Sequence, residues 1–383
     1  SPYNVSKDPE TGVPNLGMNR AHVKSPTRTG MQFSAVTQHG AVHVAKAKKL
    51  GKPLEFAIVI GGPPSLGFVS VTRLPYEVNE FAYVGAIAGE PLEMVKCKSI
   101  DLDVPAHAEI VIEGFLSTDE VEPEAPFGEA LGYVGKRDMM PYLTVTCITH
   151  RKNPIYQAFL SQYPPSESSK IKSIGNSSAL CRYLRTACNQ PWVVDVLIHE
   201  ATGATGLSAI KIAKTEQANI WKTLDEASKW AGANRPNSKL FIALDEDIDI
   251  YDTDTINWAI CTRCLPHRDS RIDTSPSTSF MDFSVVSPDT AEMADVAHTT
   301  SRLLLNATMK WPYPPVSLPK KEYMERALQI WKDEKLPALK LKKPWWGIDL
   351  GYWPDEWDEH AAMAVKGDYQ AVGDILATRR KKV

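Results

Sequence analysis

The chain lacks an excess of charge of either sign. Its 383 residues include 43 lysines and arginines against 46 aspartates and glutamates. Such a balance produces no strong field toward nucleic acid or an anionic membrane. The basic residues at 379–383 are typical of a solvated tail, and those of 41–50 of a solvent-facing helix surface. We therefore expect neither nucleic acid nor membrane as a partner.

Long apolar runs and paired cysteines are also missing. No run approaches the ~18 residues of a membrane helix, and the N-terminus carries no signal-peptide pattern. Six cysteines are scattered along the chain. The single CxxC, Cys261 to Cys264, has no second pair as a structural zinc site would require. Free thiols indicate a cytoplasmic protein.

What the sequence does contain is a pair of acids in Glu124-Ala-Pro-Phe-Gly-Glu129. Pro126 and Gly128 disfavour a helix there, so we predict a tight turn between two strands. Two acids held close together can have separate pKa values, one protonated and one charged, as general acid–base chemistry requires. Two solvated surface glutamates are the alternative, and the more common one for an isolated pair.

The secondary-structure pattern changes near residue 160. Before it, the sequence predicts strands at 30–39, 54–60, 108–115 and 142–149, with one helix at 41–50 ended by Gly51. A Ser- and Pro-rich stretch at 161–169 leads into a helix that reaches residue 185. Beyond it we predict strands at 192–198 and 240–244, and helices at 215–231, 254–261 and 321–333.

These patterns predict an α+β domain followed by an α/β domain. We place a first domain at 1–160, a linker helix at 161–190, an α/β domain at 191–317 and a C-terminal tail at 318–383. The tail is rich in tryptophan, as in residues 344–347 and 351–354. We expect it to pack on the chain itself or on a neighbouring subunit.

Four places in the first half suggest one site. They are residues 15–20, Gln38 with His39, residues 70–73 followed by Glu80, and the acid pair. Asn, His and Glu side chains are plausible ligands of a divalent cation that also holds a phosphate. Each alone is weak, because a single histidine is more often a core or surface residue than a ligand.

Ordered motifs across residues 13–310 resemble the UbiD decarboxylase family, and most closely its ferulic acid decarboxylase branch. The matching motifs are Asn15…Arg20, Gln38-His39, Glu80 before Ala82-Tyr-Val-Gly85, Leu92-Glu-Met-Val-Lys-Cys97, Val104-Pro105, Glu109-Ile-Val-Ile-Glu-Gly114, the acid pair, Asp247-Ile-Asp-Ile-Tyr251 and Trp258…Thr262-Arg-Cys264. The family's additional N-terminal domain is expected to be missing here.

The resemblance implies prenylated FMN in a split β-barrel-like domain, followed by an α/β oligomerisation domain. It assigns Asn15, His39 and Glu80 as ligands of Mn²⁺ or Mg²⁺. The other implied cofactor contacts are Met18, Asn19 and Arg20 along the flavin, Gln38 at the isoalloxazine and substrate, His39, and Ser70, Val71, Thr72 and Arg73 in a loop near the phosphate and a K⁺ ion. Residues 70–73 lack the Met-Pro of the related branch. Arg302 is the replacement for a lysine expected late in the chain.

The implied reaction is reversible, non-oxidative decarboxylation of an aromatic or α,β-unsaturated acid through a covalent adduct with prenylated FMN. It leaves negative charge on an sp² carbon, which needs an electron sink no side chain supplies. Arg20, Glu124 and Glu129 match the catalytic network. We expect Glu129 to donate the proton that replaces carbon dioxide, and Arg20 to pair with Glu124.

The remaining expectations concern partners and alternatives. A flavin prenyltransferase would supply the cofactor, and the protein would form a homo-oligomer, either a dimer or a hexamer. Ala130, smaller than the expected methionine, suggests room for a bulkier or polycyclic acid. The alternatives are a flavin reductase using ordinary FMN and a non-catalytic, oligomer-forming homologue. A paired-carboxylate hydrolase would leave Asn15, His39 and Glu80 unexplained.

Overall fold

A computed structural model of the chain describes residues 2–33, 38–72, 74–124, 126–135, 137–235, 237–275, 282, 284–285, 300–319, 321–339 and 354–382. The strands are β1 (Tyr3–Lys7), β2 (Pro14–Gly17), β3 (Ala21–Ser25), β4 (Arg28–Met31), β5 (Leu54–Ile60), β6 (Met94–Lys96), β7 (Asp103–Pro105), β8 (Ile110–Leu116), β9 (Glu122–Glu124), β10 (Phe127–Gly128), β11 (Val134–Gly135), β12 (Asp138–Met140), β13 (Tyr142–His150), β14 (Val193–Ile198), β15 (Leu207–Ile212), β16 (Leu240–Asp245), β17 (Ser270–Ser275) and β18 (Thr300–Ala307). The helices are α1 (His39–Lys49), α2 (Pro64–Val71), α3 (Glu80–Ala88), α4 (Glu167–Arg182), α5 (Gln217–Asn234), α6 (Thr253–Arg263), α7 (Pro266–Asp269), α8 (Lys321–Asp333), α9 (Asp355–Val365) and α10 (Tyr369–Ala377).

The first half of the chain forms a curled antiparallel sheet of seven strands, in the order β2-β1-β5-β8-β13-β4-β3. The apolar strand β5 lies near its centre, between β1 and β8. Phe56 and Ile58 belong to the core that includes Ala47 of α1, whereas Ala57 and Val59 belong to the core with Leu66 of α2. The period-2 alternation of a strand therefore puts β5 in the core on both faces.

The helices of this half begin and end at residues that the chemistry favours. Pro64 occupies the first turn of α2, where its missing N–H costs nothing. The Asn79 side chain caps α3 by accepting from the Phe81 N–H at 3.0 Å, and Gly89 ends that helix with a φ of 80°. The sequence did not predict α2 and α3, because Pro and Gly here mark helix ends and resemble turn signals.

Of the predicted strand at 30–39, Gly30 and Met31 belong to a strand, the described residues 32, 33, 38 and 39 do not, and 34–37 lie outside the described residues. β4 ends at Met31, and His39 is already the first residue of α1. The buried residues of α1 are Gly40, His43 and Ala47, a helical spacing that begins directly after the predicted strand. The predicted helix at 41–50 is confirmed, and Gly51 follows it with a φ of 65°.

The second half forms a mixed sheet of five strands, in the order β14-β15-β16-β18-β17. The pairs β15–β16 and β16–β18 are parallel, and the outer pairs are antiparallel. α4 and α5 pack in the core that includes Val196 and Phe241, while α6 packs in another with Ile242. This sheet with helices on both faces confirms the predicted α/β unit after a strand-rich first unit.

The predicted helix at 321–333 coincides with α8, which contains no buried residue. The tryptophan motifs at 344–347 and 351–353 lie outside the described residues. Within the part of the chain that the structure describes, no helix has the length and apolarity that crossing a bilayer demands.

Candidate active site

Arg20 bridges the two acids of the Glu124…Glu129 motif. Its Nε and Nη2 donate to the Glu124 carboxylate, with Nη2 2.7 Å from Oε2, and its Nη1 donates to Oε1 of Glu129. The Glu124 side chain is 1 % exposed, and those of Arg20 and Glu129 are largely buried. The structure therefore brings together the three side chains assigned to the catalytic network, and the alternative of two solvated glutamates is wrong.

Short strands hold the two acids in place. Glu124 is the last residue of β9, which pairs with β12, and Glu129 directly follows β10, which pairs with β11. Glycines make this close packing possible. A Cβ on Gly30 would lie 3.0 Å from Cγ of Glu124, and one on Gly135 would lie 2.8 Å from Oε1 of Glu129. The acid motif, predicted as a turn, therefore lies between two short strands. Each of these strands, β9 and β10, pairs with a different strand that follows it in the chain.

The surroundings of Glu129 favour its protonated form. Burial raises the pKa of the Glu129 carboxyl, and the negative charge of Glu124 adds to the rise. The positive charges of Arg20 and Lys172 oppose it without cancelling it. The Glu124 carboxyl accepts from two guanidinium nitrogens of Arg20, Nε and Nη2. The two carboxyls thus have different environments, as a proton donor and its positioning partner require.

His39, Glu80 and Asn15 lie on three elements that pack together. His39 begins α1, Glu80 begins α3, and both helices pack against β2, which carries Asn15. The Nδ1 atom of His39 is 3.0 Å from Oε1 of Glu80. Glu80 is 3 % exposed, and its Oε2 is buried without a hydrogen-bond partner among the described residues. A buried carboxylate oxygen without a donor fits a metal ligand.

The donor types at this place suit a divalent cation such as Mn²⁺ or Mg²⁺. Over the described ranges, no three His, Cys, Asp or Glu side chains are grouped as a metal site. A cation here would therefore use the amide oxygen of Asn15 as its third protein ligand. Asn15, His39 and Glu80 line one cavity, so they face a common space.

A second set of side chains supports His39. The ring of Tyr76 packs edge-on against His39, with centroids 5.1 Å apart, and its hydroxyl donates to Asp8. Lys46 donates to the same carboxylate at 2.7 Å. Burial opposes ionisation of Asp8, but these two donors hold its pKa below the ordinary range. Burial also lowers the pKa of His43 to about 4, so this neighbour is neutral at pH 7.

The segment assigned to the flavin is fixed by amide side chains. The backbone N–H of Asn19 donates to Oδ1 of Asn4 at 3.1 Å. The Asn19 side chain donates to the Gln32 carbonyl at 2.7 Å and to Gln38 at 3.4 Å. Met18 also lines the cavity. The structure therefore brings Met18, Asn19 and Gln38 to one wall.

The resemblance implies a loop at residues 70–73, but residues 70–72 belong to the end of a helix. Ser70 and Val71 form the last turn of α2, and Thr72 is its C-terminal cap. The hydroxyls of Ser70 and Thr72 donate to carbonyls of the same helix. All three residues line the cavity, and the carbonyl end of a helix favours a cation. Arg73 lies outside the described residues.

Arg302 does not reach this cavity. It lies in β18, opposite Asp273 of β17, and is 2 % exposed inside the second sheet. Its guanidinium Nη1 is 4.0 Å from Oδ2 of Asp273. The assignment of Arg302 to the flavin was made from its position along the chain, which does not specify on which sheet face a residue lies.

The cavity has a volume of about 1130 Å³ and lies between the first sheet, α4 and the loop after α5. This exceeds the ~300–1,000 Å³ typical of small-ligand pockets, leaving room for a cofactor and a substrate together. Three lining residues were not predicted from the sequence: Phe127, Lys172 of α4 and Arg235 after α5. The Phe127 ring lies against Arg20, with its centroid 5.4 Å from Cζ of the arginine. Phe127 lies inside the acid motif and could have been found there. Lys172 and Arg235 carry no local signal.

Two family models match the chain. The model described as the 3-octaprenyl-4-hydroxybenzoate carboxy-lyase Rift-related domain, UbiD, matches residues 1–164, and that of the C-terminal domain of the same carboxy-lyase matches residues 172–307. Among curated proteins, an uncharacterized protein of Archaeoglobus fulgidus is 32% identical over 311 residues, 81% of this chain and 62% of the relative. One from Aquifex aeolicus is 31% identical over 336 residues, 85% and 66%. The chain thus spans less than two thirds of these relatives' length.

Solved structures of similar fold include carboxylic acid decarboxylases. The UbiD-class enzyme HmfF from Pelotomaculum thermopropionicum in complex with FMN is 28% identical, with a TM-score of 0.72 over 85% of this chain and 70% of that one. An evolved dimeric form of HmfF in complex with prFMN is 29% identical, with a TM-score of 0.71 over 83% and 67%. Vanillic acid decarboxylase from Sedimentibacter hydroxybenzoicus, in closed form, is 27% identical, with a TM-score of 0.71 over 86% and 70%.

Proposed function

Since the chain belongs to the UbiD family of carboxy-lyases, we propose that it catalyses the reversible, non-oxidative decarboxylation of an aromatic or α,β-unsaturated carboxylic acid. The observation that carries this proposal is Arg20 held between Glu124 and Glu129 at the wall of a large cavity. The flavin-bound relatives support prenylated FMN as the cofactor. When bound, it supplies the electron sink for the carbon that loses carbon dioxide.

The chain's own residues would then orient the proton donor and protonate the carbon that loses carbon dioxide. Glu129, whose pKa is raised by burial, delivers a proton to the carbon that carbon dioxide leaves. Arg20 fixes the direction of the Glu129 carboxyl, and Glu124 holds the guanidinium by occupying two of its three nitrogens. The geometry supports this division of roles, because Glu129 has a raised pKa and contacts Arg20 through Nη1 alone, whereas Glu124 accepts from both Nε and Nη2.

Asn15, His39 and Glu80 would hold Mn²⁺ or Mg²⁺ beside the cofactor's phosphate. The orphaned Oε2 of Glu80 supports this assignment. The C-terminal carbonyls of α2, at Ser70 to Thr72, offer a site suited to K⁺. Met18, Asn19 and Gln38 would contact the flavin, which a flavin prenyltransferase would supply in its modified form.

The substrate end of the cavity includes Ala130, which is buried and lines it. A small side chain beside the proton donor leaves space, which supports the prediction of a bulkier or polycyclic acid. The ferulic acid decarboxylase branch stays a prediction.

The test uses the chain produced together with a flavin prenyltransferase, incubated with a panel of aromatic and unsaturated acids. We expect carbon dioxide release with at least one acid and one deuterium in the product when the reaction runs in D₂O. The matched protein carries unmodified FMN and should release none. Oxidation of NADH or NADPH by the FMN form, without carbon dioxide release by either form, would instead support the flavin reductase. Inactivity of both forms would support the non-catalytic homologue.

A homo-oligomer, either a dimer or a hexamer, is also proposed. Three helices near the C-terminus expose large apolar side chains, among them Trp357, Val365 and Tyr369. Light scattering coupled to size-exclusion chromatography would measure the mass of the assembly, and a monomer at micromolar concentration would contradict the proposal.

A further inference from the structure

Asp8 joins three parts of the first unit through its carboxylate. Its Oδ2 accepts from Nζ of Lys46 on α1 at 2.7 Å and from the hydroxyl of Tyr76. Its Oδ1 accepts from the backbone N–H groups of Glu10 and Thr11, at 2.8 and 3.2 Å, in the turn between β1 and β2. Asp8 is buried, so these charge-assisted hydrogen bonds are stronger than they would be in water. Asp8, Lys46 and Tyr76 are called the Asp8 cluster below.

Each member of the Asp8 cluster belongs to the part of the chain that carries one proposed metal ligand. α1 begins at one ligand, α3 begins at another shortly after Tyr76, and the hairpin that Asp8 shapes continues into β2, which carries the third. The pairs are Lys46 with His39, Tyr76 with Glu80, and Asp8 with Asn15. Contacts within the Asp8 cluster therefore fix how the three ligand-bearing elements sit relative to one another.

The Tyr76 ring is the part of the Asp8 cluster that touches a ligand. It packs edge-on against the His39 imidazole, with centroids 5.1 Å apart and ring planes at 82°, a geometry that aromatic pairs favour. The same ring packs against His43 at 5.9 Å, and Nζ of Lys46 lies 5.2 Å from its centroid. Because Asp8 also holds the hydroxyl, the Tyr76 ring cannot turn without losing several contacts at once.

The Asp8 cluster is set back from the cavity. Among the described residues, those that line the cavity include Asn15, His39 and Glu80 but no member of the Asp8 cluster. A cofactor or substrate in the cavity would therefore meet the ligands and not the residues that hold them. The Asp8 cluster acts on a bound group only through the ligands.

We propose that Tyr76, held by Asp8 and Lys46, is a positioning residue of the metal site. It fixes the orientation of the His39 imidazole, so that the ligands are arranged before the cation binds; this inference rests on the metal site of the proposed function. Groups that are already ordered lose less conformational entropy when they bind, which raises the affinity. Residues that orient metal ligands typically change metal affinity by about 10- to 100-fold.

A purely structural role is the alternative. Disruption of a structural cluster would lower the free energy of unfolding and leave the Mn²⁺ affinity of the folded protein unchanged. The second half of the chain offers a matched trio, because the Glu226 carboxylate accepts from the Tyr183 hydroxyl at 3.1 Å and from Lys229 at 2.7 Å. None of these three residues lines the cavity. They carry the same chemistry away from the proposed ligands.

The experiment titrates Mn²⁺ into the full chain saturated with unmodified FMN and follows free and bound Mn²⁺ by electron paramagnetic resonance. The proteins are the wild type, His39→Ala, Tyr76→Phe, Lys46→Met and the controls Tyr183→Phe and Lys229→Met. Urea unfolding measures the stability of each protein separately. Tyr76→Phe keeps the ring and removes only the hydroxyl, so the variant remains folded.

We expect Tyr76→Phe to raise the Kd for Mn²⁺ by at least about 10-fold. It should also broaden the spectrum of bound Mn²⁺, because His39 then takes more than one orientation. Lys46→Met should change both quantities in the same direction, and the two controls should keep the values of the wild type. Wild-type affinity and spectrum in Tyr76→Phe would overturn the inference, whatever the change in the free energy of unfolding.

Failure of the metal assignment gives a different result. No Mn²⁺ binding by the wild type, or binding that His39→Ala leaves unchanged, would overturn both the metal site and its positioning. Binding that His39→Ala abolishes and Tyr76→Phe leaves unchanged would overturn the positioning role alone. The expected Mn²⁺ results without carbon dioxide release from the prenylated FMN form would retain the inference and reject the decarboxylase.

Discussion

Arg20 and Glu124 form a buried ion pair in which Nη2 of the arginine lies 2.7 Å from Oε2 of the glutamate. The pair leaves Nη1 of Arg20 to contact Glu129. Arg20 and Glu124 are 104 residues apart along the chain, so this contact is entirely a product of the tertiary fold. The two glutamates therefore differ in their contacts with Arg20: Glu124 accepts from two of its nitrogens and Glu129 from one.

Replacing the proposed proton donor, Glu129, should slow turnover strongly while preserving the fold. Glu129→Gln keeps the volume of the side chain and its contact with Arg20, but it cannot deliver the proton. We expect a fall in kcat of roughly 10²- to 10⁴-fold, the range typical of a general acid. The matched control is Glu122→Gln on β9, which changes a partly buried pair with Lys24 outside the Arg20–Glu129 contact. Full turnover by Glu129→Gln, measured as carbon dioxide release, would refute the assignment.

The pH dependence should follow the raised pKa of Glu129. A carboxyl whose folded-state pKa is raised stays protonated above the ordinary range of glutamate. Turnover should therefore decline as the pH rises through the raised value. The contribution of this group to stability has the same sign: it is present below the ordinary glutamate pKa and is lost as the pH rises from there to the raised pKa.

Charge changes around Glu129 should move that alkaline limb in opposite directions. Glu124→Gln removes a negative charge that adds to the rise, so the limb should move to lower pH. Lys172→Met removes a positive charge that opposes it, so the limb should move to higher pH. The measurement is kcat against pH at saturating substrate for the wild type and both variants. Coincident limbs would show that Glu129 does not control the profile.

Gly135 should tolerate no side chain without a loss of activity. An added Cβ would lie 2.8 Å from Oε1 of Glu129, so Gly135→Ala must displace the carboxyl. Misplacement of a catalytic group by about 1 Å can cost up to ~10²-fold, so we expect kcat to fall by 10- to 100-fold. The melting temperature should change little, because the end of a flexible side chain can move. Gly373→Ala in α10, where an added Cβ meets no atom within 4 Å, is the control.

Loss of a proposed metal ligand should be visible without an assay of turnover. His39→Ala removes an imidazole and leaves the buried Glu80 with one partner fewer. We expect the manganese content of the purified protein, measured by inductively coupled plasma mass spectrometry, to fall at least about 10-fold relative to the wild type. His107→Ala, which removes an exposed histidine paired with Glu93, should retain the metal. Equal manganese contents in His39→Ala and the wild type would contradict the metal assignment.

Asp8 should stabilise the fold in a pH-dependent manner. Its pKa is held below the ordinary range, so its contribution is present above that range and is lost as the pH falls through the lowered value. Asp8→Asn should lower the free energy of unfolding by about 2 kcal/mol at pH 7, since hydrogen bonds to a charged group are worth roughly 1.5–3 kcal/mol. Urea unfolding at pH 7 and pH 4 would measure it. A difference that grows toward acid would have the wrong sign.

Local pattern decided many of the elements. β5 and α8 have the predicted bounds, 54–60 and 321–333, because an apolar run and a helical period act between near neighbours in the chain. The resemblance carried by ordered motifs gave the family, which the two domain models confirm. The change from a strand-rich unit to an α/β unit was also evident from composition and pattern.

Only the tertiary structure could decide which charges meet. Arg302 looked like a site residue and is buried in the second sheet, whereas Lys172 and Arg235, without a local motif, face the cavity. The physical reason is the distance along the chain over which each kind of interaction acts. Periodicity and capping act over a few residues, but the pairing of Arg20 with Glu124 depends on β4. This strand pairs with β3, which begins directly after Arg20, and it contacts β9, which ends at Glu124. The sequence alone therefore determined the kinds of groups present, and packing determined their partners and their pKa values.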